Sequence, residues 1–190
     1  MSTGTEATVE RIRELFRERG GMRYGVEAVT QLQHALQSAS LARKSGASSR
    51  LVVAALLHDI GHLLPESEAG VVEQHGLDDA HEHRGFVWVA ARFPAEVADP
   101  IRLHVAAKRY LCTVDGSYRD RLSPTSLQSF LDQGGEMSPA ELAEFEREPG
   151  FREALLVRRW DDTAKESDRR TPELDDFLSD IREALRTDPV

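Results

Sequence analysis

A single cysteine, Cys112, in 190 residues leaves no partner for an internal disulfide. That suits a reducing compartment, so the chain is expected in the cytoplasm. An iron–sulfur cluster is excluded for the same reason, and any bound ion must be held by His, Asp and Glu. No apolar run is long enough to span a bilayer, and the N-terminus lacks the apolar core of a secretory signal, so no membrane partner is expected. Basic residues are outnumbered, 24 Lys and Arg against 33 Asp and Glu, for a formal net charge of -9. A nucleic-acid binder would normally show a basic face, so no nucleic acid is expected as a partner. Strict polar–apolar alternation, repeats, low-complexity tracts and composition breaks are missing too. What remains, 40% hydrophobic and 30% charged residues, is ordinary for a globular protein with a sizeable core. The expectation is one all-α domain over residues 1–190.

Helical periodicity supports that class. Over 6–19, Val9, Ile12, Leu15 and Phe16 share one face, and Gly20-Gly21 ends the helix. Tyr24-Gly25-Val26-Glu27 makes a connection. A second helix over 28–43 turns Val29, Leu32, Leu36, Ala39 and Ser40 inward and carries His34, with Gly46 closing it. An apolar helix is expected over 51–59, a polar irregular loop over 65–76 and a helix over 78–92 holding His81 and His83, broken by Pro94. On the next helix, 95–111, His104 and Lys108 lie four apart and so on one face. Residues 114–118 are expected as a loop. Ser123-Pro124 and Thr171-Pro172 place a capping hydroxyl before a first-turn proline, and Ser138-Pro139-Ala140-Glu141 adds the glutamate of a capping box. A further helix covers 151–161.

The chain is organised around Leu56-Leu57-His58-Asp59-Ile60-Gly61-His62. On a continuing helix His58 and His62 share a face. The apolar run buries this helix, so the polar cluster at its end must be compensated, and imidazole with carboxylate suits a borderline divalent metal. A helix ending in a polar turn, with Gly61 as terminator, explains one His-Asp pair equally well. The other histidines weigh against that plainer account. Of seven, at 34, 58, 62, 75, 81, 83 and 104, most lie on predicted helices, where a bundle interior gathers side chains from facing elements.

The order His34, His58-Asp59, His81, His104 and a late Asp161 resembles the HD-domain superfamily, with its pattern H…HD…H…H…D. The resemblance implies an HD-type helical bundle with two metal ions. His34, His58, Asp59 and Asp161 would hold one ion, and Asp59, His81 and His104 the other, with Asp59 bridging. His83 competes with His81, but residues two apart on a helix cannot face the same way, and His81 has the family's spacing from His104. His75 and His83 are expected as solvent or loop histidines. Ligand type alone accepts Fe, Mn, Zn, Co or Ni.

Further stretches narrow the resemblance: Tyr24-Gly25-Val26-Glu27, Gln31-Leu32-Gln33-His34-Ala35-Leu36-Gln37, His104-Val105-Ala106-Ala107-Lys108-Arg109-Tyr110, Gln133-Gly134-Gly135 and Arg158-Arg159-Trp160-Asp161. Together they look like the PhnZ-type oxygenases of organophosphonate breakdown. This implies an Fe(II)/Fe(III) pair that uses O2 to cleave the C–P bond of a small 1-hydroxyphosphonate. With 2-amino-1-hydroxyethylphosphonate the products are glycine and phosphate; the N-trimethylated analogue gives glycine betaine. By resemblance His62, Lys108, Ser126 and Arg158 hold the phosphonate, a local cationic pocket in an acidic protein. Tyr24 and Glu27 form a gate, the tyrosine occupying a metal site until substrate arrives. The 65–76 loop and Phe86-Val87-Trp88 depart from the family pattern, which leaves the amine end of the substrate open. Outside the oxygenases, an HD phosphohydrolase and a non-catalytic HD module remain alternatives. The Tyr24/Glu27 gate and the Lys108 stretch favour the oxygenase, and the full ligand set argues against a dead site.

Overall fold

The computed structural model describes residues 3–68 and 81–186. In chain order the elements are α1 (Thr3–Arg19), α2 (Gln31–Lys44), α3 (Ser49–Leu57), a 3₁₀ turn (Ile60–His62), α4 (His81–Ala90), α5 (Ala95–Val114), α6 (Gly116–Arg119), α7 (Pro124–Asp132), α8 (Pro139–Phe145), α9 (Phe151–Thr163), a second 3₁₀ turn (Leu174–Phe177) and α10 (Leu178–Ala184). Among the described residues there is no strand; an isolated antiparallel bridge between Arg23 and Thr30 closes the Tyr24 turn. The all-α expectation holds. The expectations for His75 and for a helix start at 78 lie outside the described residues. No helix among them is long and apolar enough to cross a membrane.

Capping chemistry sets several boundaries. Thr30 Oγ1 accepts from the Gln33 N–H at 3.2 Å, and Gln33 Oε1 accepts from the Thr30 N–H at 2.8 Å. This capping box starts α2 at Gln31 rather than at residue 28. Ser123 and Ser138 cap α7 and α8 as their sequences predict. Three expectations fail. Residues 114–118 are not a loop: α5 runs on to Val114, and the Asp115 carboxylate then caps α6 by accepting from the Tyr118 N–H at 3.2 Å. Thr171-Pro172 starts no helix. The chain turns only at Leu174, where the Glu173 N–H donates to Asp176 Oδ2 at 2.8 Å. Nor does α3 reach Asp59, the expected end of the apolar helix. It ends at Leu57, with His58 at its C-cap and the 3₁₀ turn following. Hence His58 and His62 do not share a helix face.

The apolar run does what its composition demands: Val52 to Leu57 are all buried, and α3 lies inside a core built with α1, α2, α4, α9, α10 and the first half of α5 (Ile12, Leu36, Val89, Ile101, Val157, Ile181). Burying such a side chain stabilises the fold by about 1.5–3 kcal/mol. The second half of α5 carries two smaller clusters. One joins Leu103 and Ala107 to Met137, Phe145 and Ala154; the other joins Leu111 and Cys112 to Tyr118 and Phe130. Burial pushes the Cys112 thiol up to about 11, so it stays protonated. Between the halves of α5 sits the His104–Lys108 turn, which faces the main cavity.

Candidate metal centre

Helix ends and helix faces bring His34 (α2), His58 and Asp59 (after α3), His81 (start of α4), His104 (α5) and Asp161 (α9) together in the interior, each no more than 8% exposed. Main-chain carbonyls fix three of the imidazoles. His34 Nδ1 donates to the Ala164 carbonyl at 2.8 Å, His58 Nδ1 to Ala55 at 2.9 Å and His104 Nδ1 to Ile101 at 2.7 Å. The Ala55 and Ala164 carbonyls belong to the ends of α3 and α9, where the helix leaves acceptors unused. With the proton held at Nδ1, each Nε2 presents a lone pair to the centre.

Those lone pairs face one another. His34 Nε2 and His58 Nε2 are 3.1 Å apart, and His81 Nε2 and His104 Nε2 are 3.2 Å apart. Asp59 divides its oxygens between the pairs. Oδ2 is 3.2 Å from His58 Nε2 and 3.5 Å from His34 Nε2; Oδ1 is 3.3 Å from His81 Nε2 and 3.5 Å from His104 Nε2. Asp161 joins the first pair, with Oδ1 3.3 Å from His34 Nε2 and Oδ2 3.8 Å from His58 Nε2. Asp59 Oδ2 is buried and has no hydrogen-bond partner of sound geometry among the described residues, despite these short approaches. Acceptors crowded at this spacing repel unless a cation lies among them. Ligands about 2.1 Å from an ion and at right angles to one another are about 3 Å apart, so the donor set fits a pair of divalent ions sharing Asp59.

Electrostatics point the same way. Burial alone would raise Asp59, yet the neighbouring imidazoles of His58, His104 and His34 hold its carboxyl well below the usual range. Asp161 is held low against burial chiefly by the Arg158 guanidinium. Both carboxylates are therefore ionised in the interior. Burial works against a charged His34 as well, but Asp161 and Asp59 outweigh it and raise it to about 9. The centre demands positive charge, which metal ions satisfy.

Close packing positions the second cluster. A Cβ added to Gly61 would lie 2.0 Å from the His81 carbonyl oxygen, so only glycine lets the 3₁₀ turn approach α4 closely enough for His81 to reach Asp59. His62 stacks on His81 with ring centroids 4.1 Å apart, and Asp59, His62 and His81 each offer a ligand atom within 4.8 Å of the others. His83 is exposed on the other face of α4.

A cavity of about 430 Å³ opens beside the centre, lined by Tyr24, Asp59, His62, His81, His104, Lys108, Ser126, Ser129, Arg158 and Asp161 among others. Tyr24 stacks on His34 at 3.8 Å between centroids, and its hydroxyl donates to Asp161 Oδ1 at 3.3 Å. The tyrosine thus covers the first cluster. Lys108, 3% exposed, donates to Ser129 Oγ at 2.7 Å; burial first, then the Arg158 charge, lower it to about 8. Arg158 contacts Asp161 Oδ2 at 2.7 Å and grips both oxygens of Asp162, which hold it cationic despite burial. Of the expected site residues, Glu27, His34 and His58 do not line the cavity, and Glu27 alone of these lies outside the ligand cluster. It sits in the Tyr24 turn, and its Oε1 is buried with no hydrogen-bond partner among the described residues.

Several site residues escape the sequence reading. Gln37, 1% exposed, clamps the Glu166 backbone by donating to its carbonyl at 2.8 Å and accepting from its N–H at 3.1 Å, which fixes the chain that offers the Ala164 carbonyl to His34. Its place one turn after His34 is the only signal. Asp162 is held by the Tyr118 hydroxyl and in turn orients Arg158. Lys165 donates to Ser126 Oγ at 2.7 Å. Nothing in the sequence marks either.

Comparison with known proteins agrees with this geometry. The HD domain model matches residues 32–165. A hydroxymethylphosphonate dioxygenase of Gimesia maris is 43% identical over 178 residues, 93% of this chain and 89% of that protein. A [1-hydroxy-2-(trimethylamino)ethyl]phosphonate dioxygenase (glycine-betaine-forming) of Leisingera caerulea is 41% identical over 166 residues, 87% of this chain and 84% of its own.

Proposed function

The chain belongs to the HD-domain family, in its PhnZ-type oxygenase branch, and we propose that it uses O2 and an Fe(II)/Fe(III) pair to cleave the C–P bond of a small 1-hydroxyphosphonate. The observation that carries this reading is the pairing of two imidazole clusters, joined by Asp59, with a cavity wall that holds cations. The relatives' named substrates share the 1-hydroxyphosphonate group and differ beyond it. The first substrate proposed is 2-amino-1-hydroxyethylphosphonate, which with one O2 gives glycine and phosphate. Glu27, in the turn that carries the cavity-lining Tyr24 and Gly25, supports it: its buried Oε1 has no hydrogen-bond partner among the described residues, and an ammonium would bring it both charge and N–H donors once that turn closes on the substrate. The trimethylated substrate, giving glycine betaine, is the second reading, favoured by the Leisingera relative.

His34, His58, Asp59 and Asp161 would hold one iron, and Asp59, His81 and His104 the other. When bound, the pair supplies Lewis acidity for the substrate oxygens and activation of O2. The chain's own groups do the rest. A C–P carbon is a poor leaving group, so hydrolysis is disfavoured and oxidation at that carbon is the productive route. Lys108 and Arg158 supply positive charge to a phosphonate in a protein of net charge -9, and the Ser126 hydroxyl and His62 complete the anion site. Substrate entry displaces the Tyr24 hydroxyl from above the first cluster, and Glu27 then holds the closed turn. The cavity, about 430 Å³, has the size of an ordinary small-ligand site.

The test is phosphate release from 2-amino-1-hydroxyethylphosphonate, its trimethylated analogue and hydroxymethylphosphonate, with iron and reductant, in air and under nitrogen. Release that needs oxygen is expected from at least one. Oxygen-independent hydrolysis of phosphate esters, with none of these cleaved, would assign the chain to the phosphohydrolases.

A further inference from the structure

Lys108 lines the cavity and Lys165 reaches Ser126, which also lines it; among the described residues neither lysine forms an ion pair with a carboxylate. Each rests on a serine of α7: Lys108 Nζ on Ser129 Oγ and Lys165 Nζ on Ser126 Oγ, both at 2.7 Å. An ammonium only donates, so each serine oxygen is an acceptor in its bond and keeps its hydroxyl hydrogen for another partner. Ser129 gives that hydrogen to the Ser126 carbonyl at 3.2 Å. Ser126 has no such outlet among the described residues. It is 6% exposed and lines the cavity, and the remaining direction for its O–H is the cavity itself.

We infer that Lys165 is a positioning residue for the anion site: it locks Ser126 into the orientation that donates to an anionic oxygen in the cavity. The inference rests on the proposed phosphonate reading. Three features make Lys165 suitable. Its backbone is fixed on both sides, since the carbonyl of Ala164 holds His34 and the backbone of Glu166 is clamped by buried Gln37. Its ammonium lies 5.7 Å from the centroid of the Tyr24 ring, so it also borders the residue that covers the first cluster. A charged donor, finally, polarises the hydroxyl it bonds to and strengthens the bond that hydroxyl gives onward. The anion then feels Lys165 through Ser126 without touching it.

A double-mutant cycle on the iron-loaded protein under nitrogen tests this, with the dissociation constants of inorganic phosphate and methylphosphonate read by calorimetry and iron content measured alongside. Lys165→Met is expected to weaken binding about tenfold, the effect of one charge-assisted hydrogen bond, with iron content unchanged, and Lys165→Arg to restore most of it. Ser126→Ala weakens binding comparably, and adding Lys165→Met to Ser126→Ala costs nothing more. Unchanged affinity in Lys165→Met would overturn the inference, as would single effects that multiply in the double variant, since Lys165 would then act on the anion directly. A wild-type protein that binds neither anion would overturn the phosphonate reading and this inference with it. If Lys165→Met does not fold, Lys165→Gln, which keeps a donor and removes the charge, takes its place in the cycle with the same criteria.

Discussion

On the metal side of the cavity, each of the six candidate ligands is at most 8% exposed and three imidazoles are tied to main-chain carbonyls of the helical core. Elsewhere around the cavity, Lys108 and Lys165 rest on serine hydroxyls, and the Tyr24 turn has Gly25 and Val26 exposed. The first arrangement has its donors preset and its acceptors facing one another, so it is complete only with cations. The second keeps its two lysines on neutral hydroxyls, so an incoming anion meets their charge without first breaking an ion pair, while Arg158 stays tied to Asp161 and Asp162. On the proposed function, a rigid half binds the ions that stay and an adaptable half the substrate that comes and goes.

The largest expected effect breaks the rigid half. Asp59→Ala removes the shared carboxylate, and both ions should be lost; elemental analysis showing two retained irons would refute the bridge. Gly61→Ala sharpens the comparison by attacking one cluster only. Its Cβ would meet the His81 carbonyl at 2.0 Å, which should destabilise the fold by about 2–3 kcal/mol and empty the His81–His104 side while the His34–His58 side keeps its ion. Thermal unfolding together with metal stoichiometry checks this, and wild-type values of both would show that α4 yields freely. Gln37→Ala releases the clamp behind His34 and should weaken metal binding about 10- to 100-fold, read by competition with a chelator.

On the adaptable half the effects are smaller and concern substrate. Lys108→Met should raise KM about tenfold with iron content unchanged; a fall in iron would give Lys108 another role. Burial and Arg158 lower Lys108 to about 8, so its charge is present below that pH and lost as pH rises through it. Phosphonate affinity should therefore decline above about pH 8 in the wild-type protein, and the Lys108→Met variant should lack that decline in a KM–pH profile.

This contrast also marks what the sequence disclosed. The rigid half has periodic signals: an apolar run ending in His58-Asp59, histidines spaced along amphipathic helices, Ser-Pro caps at 123 and 138. The helical class follows from them, and the six residues that the HD-domain resemblance singles out lie within one cluster of short contacts. Misreadings arise where a side chain competes with the backbone. The His58 ring takes the Ala55 carbonyl as α3 ends, and Asp115 and Asp176 cap turns that local periodicity does not show. Gln37 is marked only by its place one turn after His34, and Asp162 and Lys165 by nothing local, because their partners, Glu166, Tyr118 and Ser126, lie 129, 44 and 39 positions away in the chain.

Electron paramagnetic resonance of the iron-loaded protein under nitrogen, before and after adding 2-amino-1-hydroxyethylphosphonate, reports on both halves at once. The account predicts the signal of an exchange-coupled Fe(II)/Fe(III) pair, as a shared Asp59 requires, and a change in that signal when the anion side fills and Tyr24 leaves the first cluster. A signal from isolated Fe(III) alone would contradict the bridged pair, and a coupled signal indifferent to any of the three phosphonates would contradict the link between the two sides of the cavity.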